Sequence, residues 1–152
     1  MTEKLTIETL VEATKEDAQQ LGILLTDLRA SYDGSAVPIE RLQSIVDNPA
    51  MDQFVARIHG RIVGAATLTA IGCTIDSKAW LEDFVVSAET AVRGRGVGYA
   101  LWREIEMWCM KRGADLSFSS NSSRQEAHKF YLRQGAKIAD TTIFKKTLTD
   151  SP

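Results

Sequence analysis

The chain has 152 residues, of which 44% are hydrophobic and 25% are charged, so it can bury a core and has the composition of a globular protein. Its formal net charge of -2 argues against a general nucleic-acid-binding protein, which carries a basic excess. Residues 1–10 lack the apolar segment of a signal peptide, and no apolar run is long enough to cross a bilayer. A cytoplasmic protein without membrane contact is therefore expected.

The amino-terminal part of the sequence alternates between strand and helix patterns. No repeat, low-complexity tract or linker interrupts it, so one domain over residues 1–152 is the simplest organisation. Alternating apolar residues predict a strand over Leu5–Val11. Apolar residues at helical spacing predict helices over Glu16–Ser31 and Pro38–Asp47, the second with proline in its first turn.

Three β-rich runs follow, over Gln53–Ile58, Arg61–Ile71 and Ala79–Ser87. The dipeptide His59-Gly60 between the first two predicts a hairpin turn.

The carboxy-terminal part continues the alternation of helices and strands. It predicts a helix over Gly96–Arg112, a strand over Asp115–Ser120, a helix over Arg124–Gln134 and a final pair of strands within Lys137–Leu148. The whole order is β-α-α-β-β-β-α-β-α-β-β. Such an order predicts an α/β fold in which a mixed sheet is flanked by helices.

Glycines and arginines alternate at the start of the helix over 96–112, in the run Arg93-Gly94-Arg95-Gly96-Val97-Gly98. A helix start offers unpaired N–H groups and partial positive charge, and glycines let that backbone approach a diphosphate. The two arginines can add charge-assisted hydrogen bonds to phosphate oxygens. The run matches neither the nucleotide P-loop nor the dinucleotide fingerprint. The alternative interpretation is a glycine-rich turn that only leads into a helix.

The run Leu81-Glu82-Asp83-Phe84-Val85-Val86-Ser87, followed by this loop, resembles the GNAT superfamily of acyl-CoA-dependent N-acyltransferases. The family motif is Gln or Arg, two residues, Gly, one residue, then Gly or Ala, which Arg93, Gly96 and Gly98 satisfy. The resemblance implies that the loop amides from Arg93 to Gly98 hold the coenzyme A pyrophosphate. It also implies that the backbone of Val85, Val86 and Ser87 pairs with the pantetheine arm.

The run Ala127-His128-Lys129-Phe130-Tyr131, with Gly135 beyond it, resembles a second family signature, Ala-x-x-Phe/Leu-Tyr-x-x-x-Gly. The resemblance implies that Tyr131 protonates the departing thiolate, and a phenol with a pKa of ~10 carries the proton needed at neutral pH. The alternative is a tyrosine at the edge of the core. Arg124 stands where many family members have Asn, and its guanidinium can reach a phosphate, so it is included among the candidate cofactor-binding residues.

Two carboxylates interrupt the apolar strand over 79–87. Because side chains alternate, Trp80, Glu82, Phe84 and Val86 are expected on one side and Asp83 on the other, unless a bulge re-aims them. The resemblance implies that Glu82 is the base or the anchor of the substrate amine. The alternative is a carboxylate held in a structural ion pair or hydrogen bond, which is the role expected of Asp83.

The resemblance as a whole implies a GNAT fold, with a mostly antiparallel mixed sheet and about four helices. It implies an N-acetyltransferase that moves an acetyl group directly from acetyl-CoA to a primary amine of a small molecule, without a metal. A homodimer through edge strands is compatible with it. Two alternatives stay open, namely a protein or peptide acetyltransferase that acts on lysine or the N-terminus, and a non-catalytic acyl-CoA-binding regulatory module. In the family the acceptor pocket comes from the first two helices and the strand tips, here around residues 28–38 and 72–80.

Overall fold

The computed structural model describes residues 4–89 and 91–150, and it divides into two compact units, Met1–Phe118 and Ser119–Pro152. The first unit contains β1 (Leu5–Thr9), α1 (Lys15–Leu25), α2 (Ile39–Val46), β2 (Met51–Ile58), β3 (Arg61–Gly72), β4 (Ser77–Val86), α3 (Val97–Lys111) and β5 (Asp115–Ser117). The second unit contains α4 (Gln125–Arg133). The single domain over residues 1–152 stays a prediction.

The strands form one sheet in the order β1-β2-β3-β4-β5. The first three pairs are antiparallel, and β4 and β5 are parallel, which confirms the predicted mixed sheet. The hairpin at His59-Gly60 is also confirmed. Both residues have positive φ, 53° and 73°, as a tight turn with the twist of the flanking strands requires.

Helices α1 and α2 cover one face of this sheet. Their apolar side chains form a core with Leu10, which follows β1, and with inward residues of β2, β3 and β4. The buried members are Leu10, Ala18, Leu21, Leu24, Leu42, Val55, Ile62, Ala65 and Val85. An ion pair fixes α1 against β2, since both terminal nitrogens of Arg57 donate to the Asp17 carboxylate at 3.0 Å. Asp17 is buried, so this bidentate pair defines where α1 lies.

Helix α3 packs on the opposite face of the sheet. A Cβ added to Gly64 would lie 2.8 Å from Leu101 and 2.9 Å from Val97, so only glycine lets the helix approach β3 this closely. At the other end of the helix, the Trp108 indole donates to Asp52 at 2.7 Å.

The sequence places the ends of α3 within one residue, but it overextends α1. That helix ends at Leu25 rather than Ser31, because the chain turns back and lies against the helix. The amide of Val37 donates to the Ala18 carbonyl at 3.0 Å, and a Cβ on Gly22 would lie only 2.0 Å from the Ser35 carbonyl oxygen. A tertiary contact of this kind has no signal in helical periodicity.

The final pair of strands predicted within Lys137–Leu148 is wrong, since residues 136–150 contain no strand. The large apolar side chains that gave this pattern, Ile138, Ile143, Phe144 and Leu148, are exposed. Alternation describes a possible face of a strand, but a strand also needs a neighbour that completes its hydrogen bonds. No helix within residues 4–89 and 91–150 is both long and apolar enough to cross a membrane.

Candidate active site

The loop before α3 exposes its backbone. Gly94 and Gly96 have φ of 78° and 74°, in the left-handed region that side chains disfavour, and Gly96 is the N-cap of α3. A Cβ added to either glycine would meet nothing within 4 Å. The glycines therefore serve the conformation of the loop and leave space above it, where a diphosphate can approach the N–H groups of the helix start.

This loop is tied back to the sheet. The Nε of Arg93 donates to the Ala88 carbonyl at 3.2 Å, and the Arg93 amide donates to the Glu89 carbonyl at 3.1 Å. Glu89 in turn accepts two hydrogen bonds from the Arg61 guanidinium, at 3.1 and 2.7 Å, which lower the pKa of its carboxyl. Arg93 thus has a structural contact as well as the predicted place near a phosphate.

One edge of β4 is only partly covered. Strand β5 pairs with Lys78, Ala79 and Trp80 and then ends, whereas β4 continues to Val86. Among the described residues, no strand pairs with that edge from Leu81 to Val86. Val85 and Val86 pair with β3 on the other edge, and the Ser87 amide donates to the Val63 carbonyl at 2.8 Å. The predicted pantetheine segment therefore lies at a strand edge that no other strand of the described residues occupies, and such an edge can pair with an extended amide chain.

A β-bulge interrupts β4 at the acidic pair. Thr67 pairs with Glu82 and Ala65 pairs with Val85, so Asp83 and Phe84 together oppose a single residue of β3. Asp83 has a φ of 51°, the left-handed conformation of a bulge residue. Side chains of paired residues share a face, so Glu82 and Val85 both lie on the face covered by α1 and α2.

The predicted alternation through β4 is consequently wrong. Phe84 lies on the α3 face, where its ring meets Trp102 edge-on at 5.9 Å, rather than beside Glu82. The bulge instead brings the two carboxylates to the same side of the sheet, where the charge of Glu82 acts on Asp83. Glu82 itself is exposed, and its Oε1 accepts a hydrogen bond from the Trp80 indole at 2.6 Å.

A cavity of about 300 Å³ lies on this face, and we call it the β4 cavity. Its lining comes from α1, the segment after it, α2 and three strands: Leu21, Leu25, Leu28, Arg29, Tyr32, Val37, Pro38, Arg41, Leu42, Ile45, Gln53, Ala65, Thr67 and Asp83. Burial raises the pKa of Asp83, the charge of Glu82 raises it further, and the nearby Arg29 opposes both. A carboxylate in this setting is a stronger base than an ordinary aspartate and gains from a bound ammonium.

Two buried polar side chains complete one wall of the β4 cavity. The Thr67 hydroxyl donates to Gln53 Oε1 at 2.7 Å, and Gln53 Nε2 donates to the Ala66 carbonyl at 3.2 Å. Polar groups are buried at a cost unless they are hydrogen-bonded, and this pair satisfies itself within the sheet.

Tyr131 and Arg124 lie in the second unit. Tyr131 is buried on α4, its ring meets Phe130 edge-on at 6.0 Å, and Arg124 is the N-cap of the helix. Burial raises the pKa of the Tyr131 hydroxyl, against the opposing charge and hydrogen bond of Arg124. The phenol is therefore protonated at neutral pH, and the predicted phosphate ligand Arg124 has a partner within its own helix.

The structure brings some predicted residues together and adds others. The acidic pair, Val85 and Val86 lie on β4, and Ser87 follows directly after the strand. The segment around residues 28–38 does line a cavity, through Arg29 and Tyr32 among others. The sequence did not single out Arg41, and it assigned Asp83 a structural role. A polar residue inside an apolar strand, such as Thr67, is a sequence signal that indicates the lining of a cavity.

Within the described residues, no group of three or more His, Cys, Asp or Glu side chains is placed to hold a metal ion.

Comparison with known protein families settles the family. The family model described as "Acetyltransferase (GNAT) family" matches residues 9–136, most of the chain. The chain belongs to the GNAT acetyltransferases. The match includes the glycine loop, the β4 bulge and the tyrosine helix of this GNAT protein, while no curated protein sequence matches it.

Solved structures show the same GNAT fold. An aminoglycoside acetyltransferase, meta-AAC0020 from an uncultured soil metagenomic sample, has a TM-score of 0.81 at 22% identity, over 95% of this chain and 97% of that chain. A transcriptional regulator from Bacillus halodurans C-125 has a TM-score of 0.78 at 23% identity, over 95% and 100%. The aminoglycoside N-acetyltransferase AAC(6')-Iy, solved in complex with CoA, has a TM-score of 0.76 at 18% identity, over 97% of both chains. At such identities the likeness concerns the fold alone.

Proposed function

We propose that this GNAT protein transfers an acetyl group from acetyl-CoA to a primary amine of a small molecule. The observation that carries the proposal is the combination of an open glycine loop at the start of α3 with an edge of β4 that has no strand neighbour from Leu81 to Val86 among the described residues. The loop can accept the pyrophosphate, and the strand edge can pair with the amides of pantetheine. A fold neighbour solved with CoA supports the choice of this thioester.

In the proposed reaction the neutral amine nitrogen attacks the thioester carbonyl carbon. A C–N bond forms, the C–S bond breaks, and the proton lost by the amine is balanced by the proton gained by the thiolate. Glu82 is the proposed base and Asp83 holds the incoming ammonium beside it. An amide near Val85 stabilises the negative charge of the tetrahedral intermediate. Tyr131 is the proposed acid, because its raised pKa keeps the phenol protonated.

The two cysteines favour direct transfer of the acetyl group to the amine over a mechanism with an acetyl-cysteine intermediate. Cys109 is buried, and burial raises the pKa of its thiol, so it is a poor nucleophile at neutral pH. Cys73 is exposed in the turn between β3 and β4, where its amide donates to the Asp76 carbonyl. It lies outside both family signatures.

The test is release of free coenzyme A thiol from acetyl-CoA in the presence of a panel of amines, together with calorimetry of acetyl-CoA binding. Polyamines, amino sugars, amino acids, aminoglycosides and lysine peptides are each offered as the acceptor. We expect binding of acetyl-CoA and amine-dependent thiol release with a small amine, and mass spectrometry should find the acetyl group on its nitrogen. Binding without release for any amine would identify a regulatory module instead, and release only with peptides would identify a protein acetyltransferase.

A further inference from the structure

The β4 cavity combines an apolar wall with a small set of charges. Leucine and valine side chains of α1, α2 and the segment between them form the wall. The lining contains only three charged side chains, and two of these are the guanidinium groups of Arg29 and Arg41, against the single carboxylate of Asp83. Glu82 is not part of the lining, but it lies on the same side of the sheet and its charge acts on Asp83. Two guanidinium groups therefore face two carboxylates, and this balance does not suit a ligand whose charges are all positive.

The two arginines are available to a ligand. Both are exposed, and among the described residues neither guanidinium has an ion-pair or hydrogen-bond partner, although the charge of Arg29 acts on Asp83. By contrast, Arg57 and Arg61 of the same unit are each held by carboxylates. Guanidinium groups bind carboxylates and phosphates through two parallel hydrogen bonds, so an unpaired couple at a cavity is suited to an anionic group.

The polar residues of the lining do not compete for that role. Gln53 and Thr67 satisfy each other, and the Tyr32 hydroxyl donates to the Ser35 carbonyl at 2.7 Å. The three charged side chains of the lining, together with Glu82 beside Asp83, therefore decide which ligand charges the cavity accepts. Its volume of about 300 Å³ is at the low end for small-molecule sites.

We propose that the acceptor is a small zwitterion, an amine that also carries an anionic group and an apolar body. Its ammonium lies at Asp83, its anionic group lies at Arg29 and Arg41, and its apolar part packs on the leucines of α1 and α2. An apolar α-amino acid has this chemistry, whereas an aminoglycoside, with several ammonium groups and no anion, does not. This inference rests on the proposed acetyl transfer and names the acceptor class.

The experiment compares matched acceptors in the thiol-release assay. L-Leucine, L-leucinamide and the phosphonate analogue of leucine differ only in the group beside the amine, and kanamycin represents the polycations. The proteins are the wild type, Arg29→Gln, Arg41→Gln and the control Arg103→Gln, which removes an exposed arginine of α3 outside the cavity. Melting temperatures establish that each variant is folded.

We expect each cavity variant to lower kcat/KM for leucine by about tenfold or more, the effect of losing a hydrogen bond to a charged group. The same variants should change kcat/KM for leucinamide less than about twofold, and Arg103→Gln should change neither. The ratio of kcat/KM for leucine to kcat/KM for leucinamide is compared between the wild type and each variant. The different basicities of the two amines therefore cancel. If the phosphonate exceeds leucine, the anion recognised is of the phosphate type.

Other outcomes separate this inference from the proposed function. One such outcome is that kanamycin or leucinamide is acetylated efficiently while Arg41→Gln affects all acceptors equally. That result would overturn the inference that the acceptor is a zwitterion, and the proposed acetyl transfer would still hold. Failure to bind acetyl-CoA would overturn the proposed function. If acetyl-CoA binds but none of these amines is acetylated, calorimetric titration of leucine and leucinamide into the CoA-bound protein decides, and equal or absent binding of the two overturns the inference.

Discussion

The glycine loop before α3 and the β4 cavity are both proposed as ligand sites, but one is formed by backbone groups and the other by side chains. The loop presents backbone N–H groups, and its key residues, Gly94 and Gly96, are two positions apart. The cavity presents side chains, and its charged residues come from the segment after α1, from α2 and from β4, namely Arg29, Arg41 and Asp83. A site made of backbone is defined within one short segment, so it can persist while a site made of distant side chains changes its specificity.

The largest effect is expected from a residue outside both regions. Tyr131→Phe removes the proposed acid, so kcat should fall by about 100-fold or more, the usual contribution of a general acid. Coenzyme A affinity and the acceptor KM should stay nearly unchanged, because neither the loop nor the cavity loses a group. Steady-state kinetics and calorimetry measure these quantities, and an unchanged kcat would remove Tyr131 from the mechanism.

A β-branched residue at Gly96 should abolish most of the function of the loop. Gly96→Val forces a side chain into a conformation with φ of 74° and fills the space above the backbone. Coenzyme A affinity should fall by about 100-fold, as strain and lost phosphate contacts combine.

The control is Gly113→Val at the end of α3, which has a φ of 58° and equally open space. It should lower the melting temperature in the same way but leave coenzyme A affinity intact. Equal loss of affinity in the two variants would mean that the loop acts only through stability.

Asp83→Asn in the cavity should weaken binding of the acceptor, whereas Gly96→Val in the loop should weaken binding of coenzyme A. Losing the carboxylate that holds the ammonium should raise the acceptor KM by about tenfold, with little change in coenzyme A affinity. Asp140→Asn, at an exposed aspartate that is not part of the cavity lining, is the matched control and should behave as the wild type. A kcat that falls while the acceptor KM stays constant would instead make Asp83 the base.

The smallest effect is a shift in pH dependence. Burial and the charge of Glu82 raise the pKa of Asp83, so its carboxylate becomes protonated at a higher pH than that of an ordinary aspartate. As pH falls through this raised pKa, acceptor kcat/KM should decrease in the wild type, and Asp83→Asn should lack this limb. Profiles of kcat/KM between pH 4 and 8 test this, roughly the range in which a perturbed carboxyl titrates, and identical profiles would contradict it.

The comparison also explains what the sequence could predict. The loop is a local motif, and α3 begins at Val97 with Gly96 as its N-cap, in agreement with the prediction from the glycines and the apolar stripe. Within the described residues, the presence and order of the four helices and five strands were likewise predictable from local patterns, because each pattern follows from the geometry of one element.

The cavity could not be predicted in the same way. The bulge at Asp83 depends on how β3 pairs with β4, and a one-residue change of register reverses which side chains face the helices. Arg41 joins Arg29 only because the chain folds back on α1 after Leu25. The strands predicted within Lys137–Leu148 are wrong for a related reason, since an alternating pattern does not supply the neighbouring strand that completes the hydrogen bonds.

The close crossing at Gly22 has a consequence for how this protein can diverge. The Ser35 carbonyl rests where any side chain at position 22 would begin, so the segment that carries the outer wall of the cavity is clamped to the helix behind it. A side chain there would force this segment away from α1, so the wall could not keep its place. Substitution of one buried glycine is therefore expected to reshape the cavity without removing any charged side chain of its lining.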